Sequence, residues 1–110
     1  VKYPVLNSHP QQELAGRQMK VSGSMLSFGL HGGYDMGKKL MDHLELATLA
    51  VSLGGVETLV QHPASMTHAA VPEEDKIRAG ITDDLVRFSV GIEDPDDLIE
   101  DLENAFSHLN

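Results

Sequence analysis

Leu85-Val86-Arg87-Phe88-Ser89-Val90-Gly91 alternates in side-chain character along its length. A strand sends successive side chains to opposite faces, so Val86, Phe88 and Val90 share one face and Leu85, Arg87 and Ser89 the other. The first face belongs to a core, and the second carries an arginine. Just upstream, Pro72-Glu73-Glu74-Asp75 begins a short helix. Acids crowd its first turn, Lys76 and Arg78 follow, and Gly80 closes it. Downstream, Asp94-Pro95 opens the last helix, with Leu98, Leu102 and Phe106 on one stripe and acids on the other.

Earlier in the chain, Val56 to Gln61 is a strand candidate ended by His62-Pro63. Leu46 to Leu53 is apolar enough for a buried strand, and Gly54-Gly55 follows it. Asp35 is placed to cap a helix running to about His43, with Met36, Leu40 and Leu44 at four-residue spacing. Ser24 to Leu30 alternates like a half-buried strand that His31-Gly32-Gly33 breaks. Tyr3 to Pro10 reads as an extended entry segment, leading into a helix from Pro10 to Met19. This order predicts an α+β fold: a small, mainly antiparallel sheet with helices packed on one face. The other face must then be polar or dock on a second domain.

With 110 residues the chain is one domain's worth, with a large surface for its volume. It is expected to lean on a partner for stability. Its composition is 41% hydrophobic and 23% charged, ordinary for a globular protein. Seventeen acids against eight basic residues give a net charge of −9. That balance argues against nucleic acid, whose binding needs a basic surface, and against anionic membrane surfaces. Cysteine is absent, so neither a disulfide framework nor a Cys-type zinc site is possible. No transmembrane stretch or signal peptide is visible, and a cytoplasmic protein is expected. The start at Val1 reads like interior sequence, as expected of a fragment or processed product.

Two places could carry chemistry. Arg87 lies inside an otherwise apolar strand, where a charge is costly unless paired or aimed into a cleft, and its fork suits a carboxylate. The alternative is an edge-strand arginine that snorkels to solvent or pairs with one of the many acids. Ser52-Leu53-Gly54-Gly55 follows an expected strand, so glycine backbone N–H groups and the Ser52 hydroxyl could approach an anion. A plain turn with a capping serine fits the same residues. Among the histidines, His62 and His68 form the densest cluster, but no acid stands near them at ligand spacing, and no metal site is assigned. No GxSxG elbow is present either.

Taken together, several stretches resemble the C-terminal region of the Cys/Met-metabolism (trans-sulfuration) PLP-dependent enzymes, nearest methionine γ-lyase and cystathionine γ-lyase. They are Ser52-Leu53-Gly54-Gly55-Val56-Glu57-Thr58-Leu59, His62-Pro63-Ala64-Ser65-Met66-Thr67-His68, and Gly80-Ile81 with Leu85 to Asp94. Tyr3-Pro4, Ser8-His9-Pro10-Gln11 and Ser24 to Phe28 fall in family order, so the resemblance spans essentially the whole chain. It implies the C-terminal domain of a fold-type I PLP-dependent enzyme over residues 1–110, a small antiparallel sheet with helices on one side. It also implies that Arg87 salt-bridges the substrate α-carboxylate, that Ser52 adds a second contact, and that Leu53 lies beside it. Met66 and Thr67 lie near the active site in the family, without an assigned role.

The motifs that hold pyridoxal 5'-phosphate in the family, a Schiff-base lysine among them, have no match here. The cofactor is therefore expected on an absent N-terminal PLP domain, and this chain alone is expected to be inactive, with no catalytic residue of its own. The resemblance implies a sulfur-containing amino acid substrate, α,γ-elimination, and a homotetramer in full-length form. Gly54-Gly55-Val56-Glu57 sits nearer to cystathionine γ-lyases and γ-synthases, which keeps those reactions as the alternative. A stand-alone, non-catalytic binding module of the same fold is the second class of function. The lyase reading predicts an open Arg87 face and exposed apolar surface, whereas a stand-alone module predicts no large apolar patch.

Overall fold

A computed structural model describes residues 1–110 and centres on one four-stranded sheet. In chain order the elements are α1 (Gln12–Gln18), β1 (Met25–Gly29), α2 (Gly33–His43), β2 (Thr48–Leu49), β3 (Leu59–Gln61), a 3-10 turn (Pro63–Ser65), α3 (Glu73–Arg78), β4 (Leu85–Ser89) and α4 (Pro95–Ser107). The strands lie in the order β1-β4-β3-β2. Strand β4 is therefore interior, antiparallel to both β1 and β3. The α+β class and the mainly antiparallel sheet form as expected; β2 alone runs parallel to its neighbour β3, so the sheet is mixed.

Register explains the core. Leu26 and Val60 both stand opposite Phe88, and Phe28 stands opposite Val86, so these side chains share one face. Helices α2 and α4 cover that face, where Leu40, Met41 and Ala105 join Ala47, Val60, Val86 and Phe88 in one buried cluster. The Phe28 ring bridges strand and helix, 6.5 Å from Phe88 and 6.1 Å from Phe106. Only 18 of the 110 residues are buried, and α1 buries none of its own, so the chain's own core is modest. The radius of gyration is 14.3 Å, against about 13 Å for a compact domain of this length. No helix is long and apolar enough to cross a membrane.

Several local expectations change. The Tyr3–Pro10 segment is not extended but runs as successive turns, with the Leu6 N–H on the Tyr3 carbonyl at 3.0 Å and the His9 N–H on the Leu6 carbonyl at 2.9 Å. Helix α2 starts at Gly33 and not after Asp35, because Gly32 takes a left-handed φ of 103° at the cap; Asp35 then sits in the first turn, where its charge suits the helix N-terminus. The Leu46–Leu53 segment is not a buried strand. Only Thr48–Leu49 pairs, at the sheet edge, and Leu49 is 48% exposed while Ala47 alone is buried. The acids of α4 do not all face away from the core. Asp101 is buried, and its carboxylate accepts backbone N–H bonds from Glu45 at 2.8 Å, Leu46 at 3.0 Å and Ala47 at 2.8 Å. These donors lie between the end of α2 and the start of β2, where no helix or strand partner exists for them.

Charge-assisted bonds to otherwise unmet donors are expensive to remove. Asp101→Ala is expected to lower unfolding free energy by about 3 kcal/mol. Urea unfolding of the variant beside the parent chain checks this, and an unchanged midpoint would rule the anchor out.

Candidate functional site

Because β2 and β3 are parallel, the chain must travel back along the sheet before β3 can begin. Residues 50–58 make that return, and they do so over the face that carries Arg87 and Ser89. The Arg87 Nη2 donates to the backbone carbonyl of Ser52 at 2.7 Å and to that of Val51 at 3.2 Å. Gly54, at φ +75°, turns its N–H onto the Ser89 Oγ at 2.9 Å. The loop is thus pinned at two β4 side chains, and the expected open face is partly roofed.

Arg87 is half-buried on an interior strand, not at an edge. No acid of the chain pairs with it: the ion pairs are Lys76–Glu73 and Arg78–Asp75. Its Nε is buried without a hydrogen-bond partner. Both alternatives weighed from the pattern, an edge position and an internal carboxylate, are therefore set aside. Ser52 and Leu53 are exposed beside the guanidinium, Leu53 at 56%. A guanidinium fork that has only neutral carbonyls for partners, next to a free serine, is suited to receive a carboxylate from outside.

The far end of the return loop is clamped separately. The Glu93 carboxylate accepts from the Thr58 N–H at 2.7 Å and from the Thr58 hydroxyl at 2.8 Å. The Gly91 N–H donates to that same hydroxyl at 2.8 Å, and Ile92 N–H donates to Val56 O at 2.8 Å. A side chain at Gly91 would meet the Val56 carbonyl oxygen, so only glycine permits this approach. Hydrogen bonds to the charged form, led by the Thr58 backbone, hold the Glu93 carboxyl below the usual carboxylate range.

One further group was not found by sequence reasoning. Gln61 is 2% exposed, and its Nε2 donates to the Thr67 Oγ1 at 3.1 Å. The available signal was the alternation of Leu59-Val60-Gln61, which puts Gln61 on the face of Leu59, away from the core residue Val60. Met66 receives the His62 N–H at its sulfur, at 3.3 Å. His62 itself is a buried brace. Its Nδ1 meets Ser65 Oγ at 2.7 Å, its Nε2 meets the Asp83 carbonyl at 2.6 Å, and Tyr34 packs edge-on at 5.2 Å. The ring fills the space that Gly37 leaves by lacking a Cβ. With both nitrogens engaged, His62 has no lone pair to offer a metal.

The model of the family described as Cys/Met metabolism PLP-dependent enzyme matches residues 1–107. The chain belongs to that family. It is 53% identical over 109 residues to L-methionine gamma-lyase of Fusobacterium nucleatum subsp. polymorphum, covering 99% of this chain and 28% of that protein. It is 52% identical over 105 residues to cystathionine gamma-lyase of Mus musculus, covering 96% of this chain and 26% of that one. Among solved structures, cystathionine gamma synthase from Xanthomonas oryzae pv. oryzae in complex with cystathionine superposes with a TM-score of 0.89 at 50% identity, over 97% of this chain and 28% of that chain. The chain therefore spans a little over a quarter of the length of these relatives.

Pyridoxal phosphate is the family's cofactor, and the groups around Arg87 do not make a site for it. The tyrosines are engaged elsewhere, Tyr3 with the Gly23 carbonyl and Tyr34 against His62 and near Lys38. Lys76 is paired with Glu73. What the chain presents at this place is a half-buried guanidinium with main-chain carbonyls for its partners.

The clamp gives a pH test with a definite sign. A carboxyl held low in the folded state contributes stability that is present above its unfolded value and lost as pH falls through the folded one. The difference in Tm between the parent and Glu93→Gln is expected to be full at pH 7 and to shrink below about pH 4.3, the unperturbed glutamate value. Thermal melts of both proteins across that range check it; a gap that widens toward acid would reverse the assignment.

Proposed function

We propose that this chain is the C-terminal substrate-binding domain of a PLP-dependent carbon–sulfur lyase that works by methionine gamma-lyase-like α,γ-elimination on a sulfur-containing amino acid. Arg87 takes the substrate α-carboxylate, Ser52 adds a hydroxyl donor, and Leu53 walls the same place. The observation that carries this reading is the Arg87 guanidinium: half-buried, without an acid in its own chain, and open at Nη1, which makes no hydrogen bond within the protein. A fork on the carboxylate fixes two points of an amino acid, so its Cα–H is presented in one orientation. The cofactor supplies the electron sink, and on this reading the protein's own N-terminal PLP domain holds it.

Exposed apolar side chains support a docked position for the chain. Leu49, Val51, Leu53 and Val56 lie along β2 and the return loop, exposed by 48%, 58%, 56% and 67%. Such a patch fits a surface that the large domain covers, more than it fits a stand-alone module. The assembled enzyme is then a cytoplasmic homotetramer. A cystathionine gamma-lyase or gamma-synthase reaction is the second reading, favoured by the near-equal identity to the mouse cystathionine gamma-lyase and the superposition on the Xanthomonas synthase.

Two measurements test the proposal. The 110-residue chain given pyridoxal phosphate and methionine is expected to release neither thiol nor ammonia. In the full-length protein, Arg87→Ala is expected to lower kcat/KM for methionine by about 100-fold or more, the loss usual when one partner of a desolvated ion pair is removed. Undiminished kcat/KM would contradict the carboxylate assignment, and cystathionine turnover exceeding methionine turnover would favour the second reading.

A further inference from the structure

Two buried side-chain atoms in the chain lack a hydrogen-bond partner, Gln61 Oε1 and Arg87 Nε. One is an acceptor only and the other a donor only. Their residues stand directly opposite each other in the β3–β4 register. Opposed residues on antiparallel strands put their side chains on the same face, close enough to interact. Buried polar atoms are nearly always satisfied, so a complementary orphan pair on facing positions points to a bond made in another state of the site.

We propose that Gln61 is a positioning residue for Arg87: when a substrate carboxylate binds, Gln61 Oε1 accepts the Arg87 Nε–H and fixes the plane of the guanidinium. This deepens the carboxylate reading of Arg87 and rests on it. Without substrate, Arg87 spends its Nη2 on the Val51 and Ser52 carbonyls. A bond from Nε to Gln61 turns both terminal nitrogens outward and lets them meet the carboxylate side by side, the geometry in which a guanidinium binds best.

The amide is held the right way round for this. Gln61 Nε2 donates to Thr67 Oγ1 at 3.1 Å, and the Thr67 hydroxyl meets His68 Nδ1 at 2.7 Å. With Thr67 donating to His68 and accepting from Gln61, the Gln61 oxygen is the end left over for Arg87. The turn after β3 thereby orders the arginine without touching substrate. Strand register also places Ser27 and Lys2 in the same cross-sheet row, Ser27 opposite Arg87 and Lys2 opposite Ser27, so the row continues as polar positions to the sheet edge.

The test uses the full-length protein with its cofactor and measures calorimetric binding of L-norleucine and of pentylamine, which lacks only the carboxylate. Gln61→Met is expected to weaken norleucine about tenfold, the value of one hydrogen bond to a charged group, and to leave pentylamine within about twofold. KM for methionine rises with it by a similar factor, and kcat changes less. Gln61→Ala, which removes the acceptor without adding bulk, is expected to weaken norleucine by a similar factor and to leave pentylamine within about twofold; it decides the matter if the Met variant does not fold, and unchanged norleucine affinity there overturns the proposal. Unchanged norleucine affinity in Gln61→Met, or equal weakening of both ligands in either variant, overturns the proposal. Arg87→Ala serves as the reference: if it too leaves norleucine unchanged, the carboxylate reading falls first, whereas loss in Arg87→Ala with none in Gln61→Met removes the role of Gln61 alone.

Discussion

The parallel pairing of β2 with β3 is the constraint on which the site depends. Two parallel neighbours cannot be joined by a tight hairpin, so residues 50–58 have to cross back over the sheet. They cross the face opposite the helices, and there they meet Arg87 on the central strand β4. An arginine placed in mid-sheet would otherwise be hard to keep. Here two main-chain carbonyls hold one terminal nitrogen without neutralising the charge. The return loop therefore both tolerates the guanidinium and leaves it hungry for an anion.

Around that contact the molecule divides its labour. The α2 and α4 side supplies the packing, with Val86, Phe88 and Val60 of the sheet buried beneath. Carboxylates outside that core act as braces for irregular chain. Asp101 collects three N–H groups of the segment entering β2, and Glu93 with Thr58 fastens the exit of the return loop. Both braces thus fix the two ends of the path that carries Ser52. Little of this depends on a large core, in keeping with a chain that matches a little over a quarter of its relatives' length.

Much of the fold could be read from residue order. The alternation of Leu85 to Val90 placed β4 and separated its faces, and the glycines at 32, 54 and 80 marked turns that take positive φ. The α+β class and the family followed from those segments and their motifs. What escaped was tertiary. Strand direction is not written in local alternation, so the parallel pair came unannounced. Apolar Leu46 to Leu53 promised burial, but composition reports a preference for cover without saying which molecule provides it. Asp101 sat unnoticed in a helix rich in acids, because only the fold shows which of them turns inward. Gln61 looked like a strand end; its meaning appears only when β3 is laid against β4.

The central claim is that Arg87 exchanges main-chain carbonyls for a substrate carboxylate. The most direct test is a crystal structure of the full-length protein with L-norleucine bound. The account predicts the ligand carboxylate within about 3 Å of both Arg87 terminal nitrogens, with the Ser52 hydroxyl on the same group. A ligand whose carboxylate sits elsewhere, with Arg87 still bonded to Val51 and Ser52 alone, would contradict it.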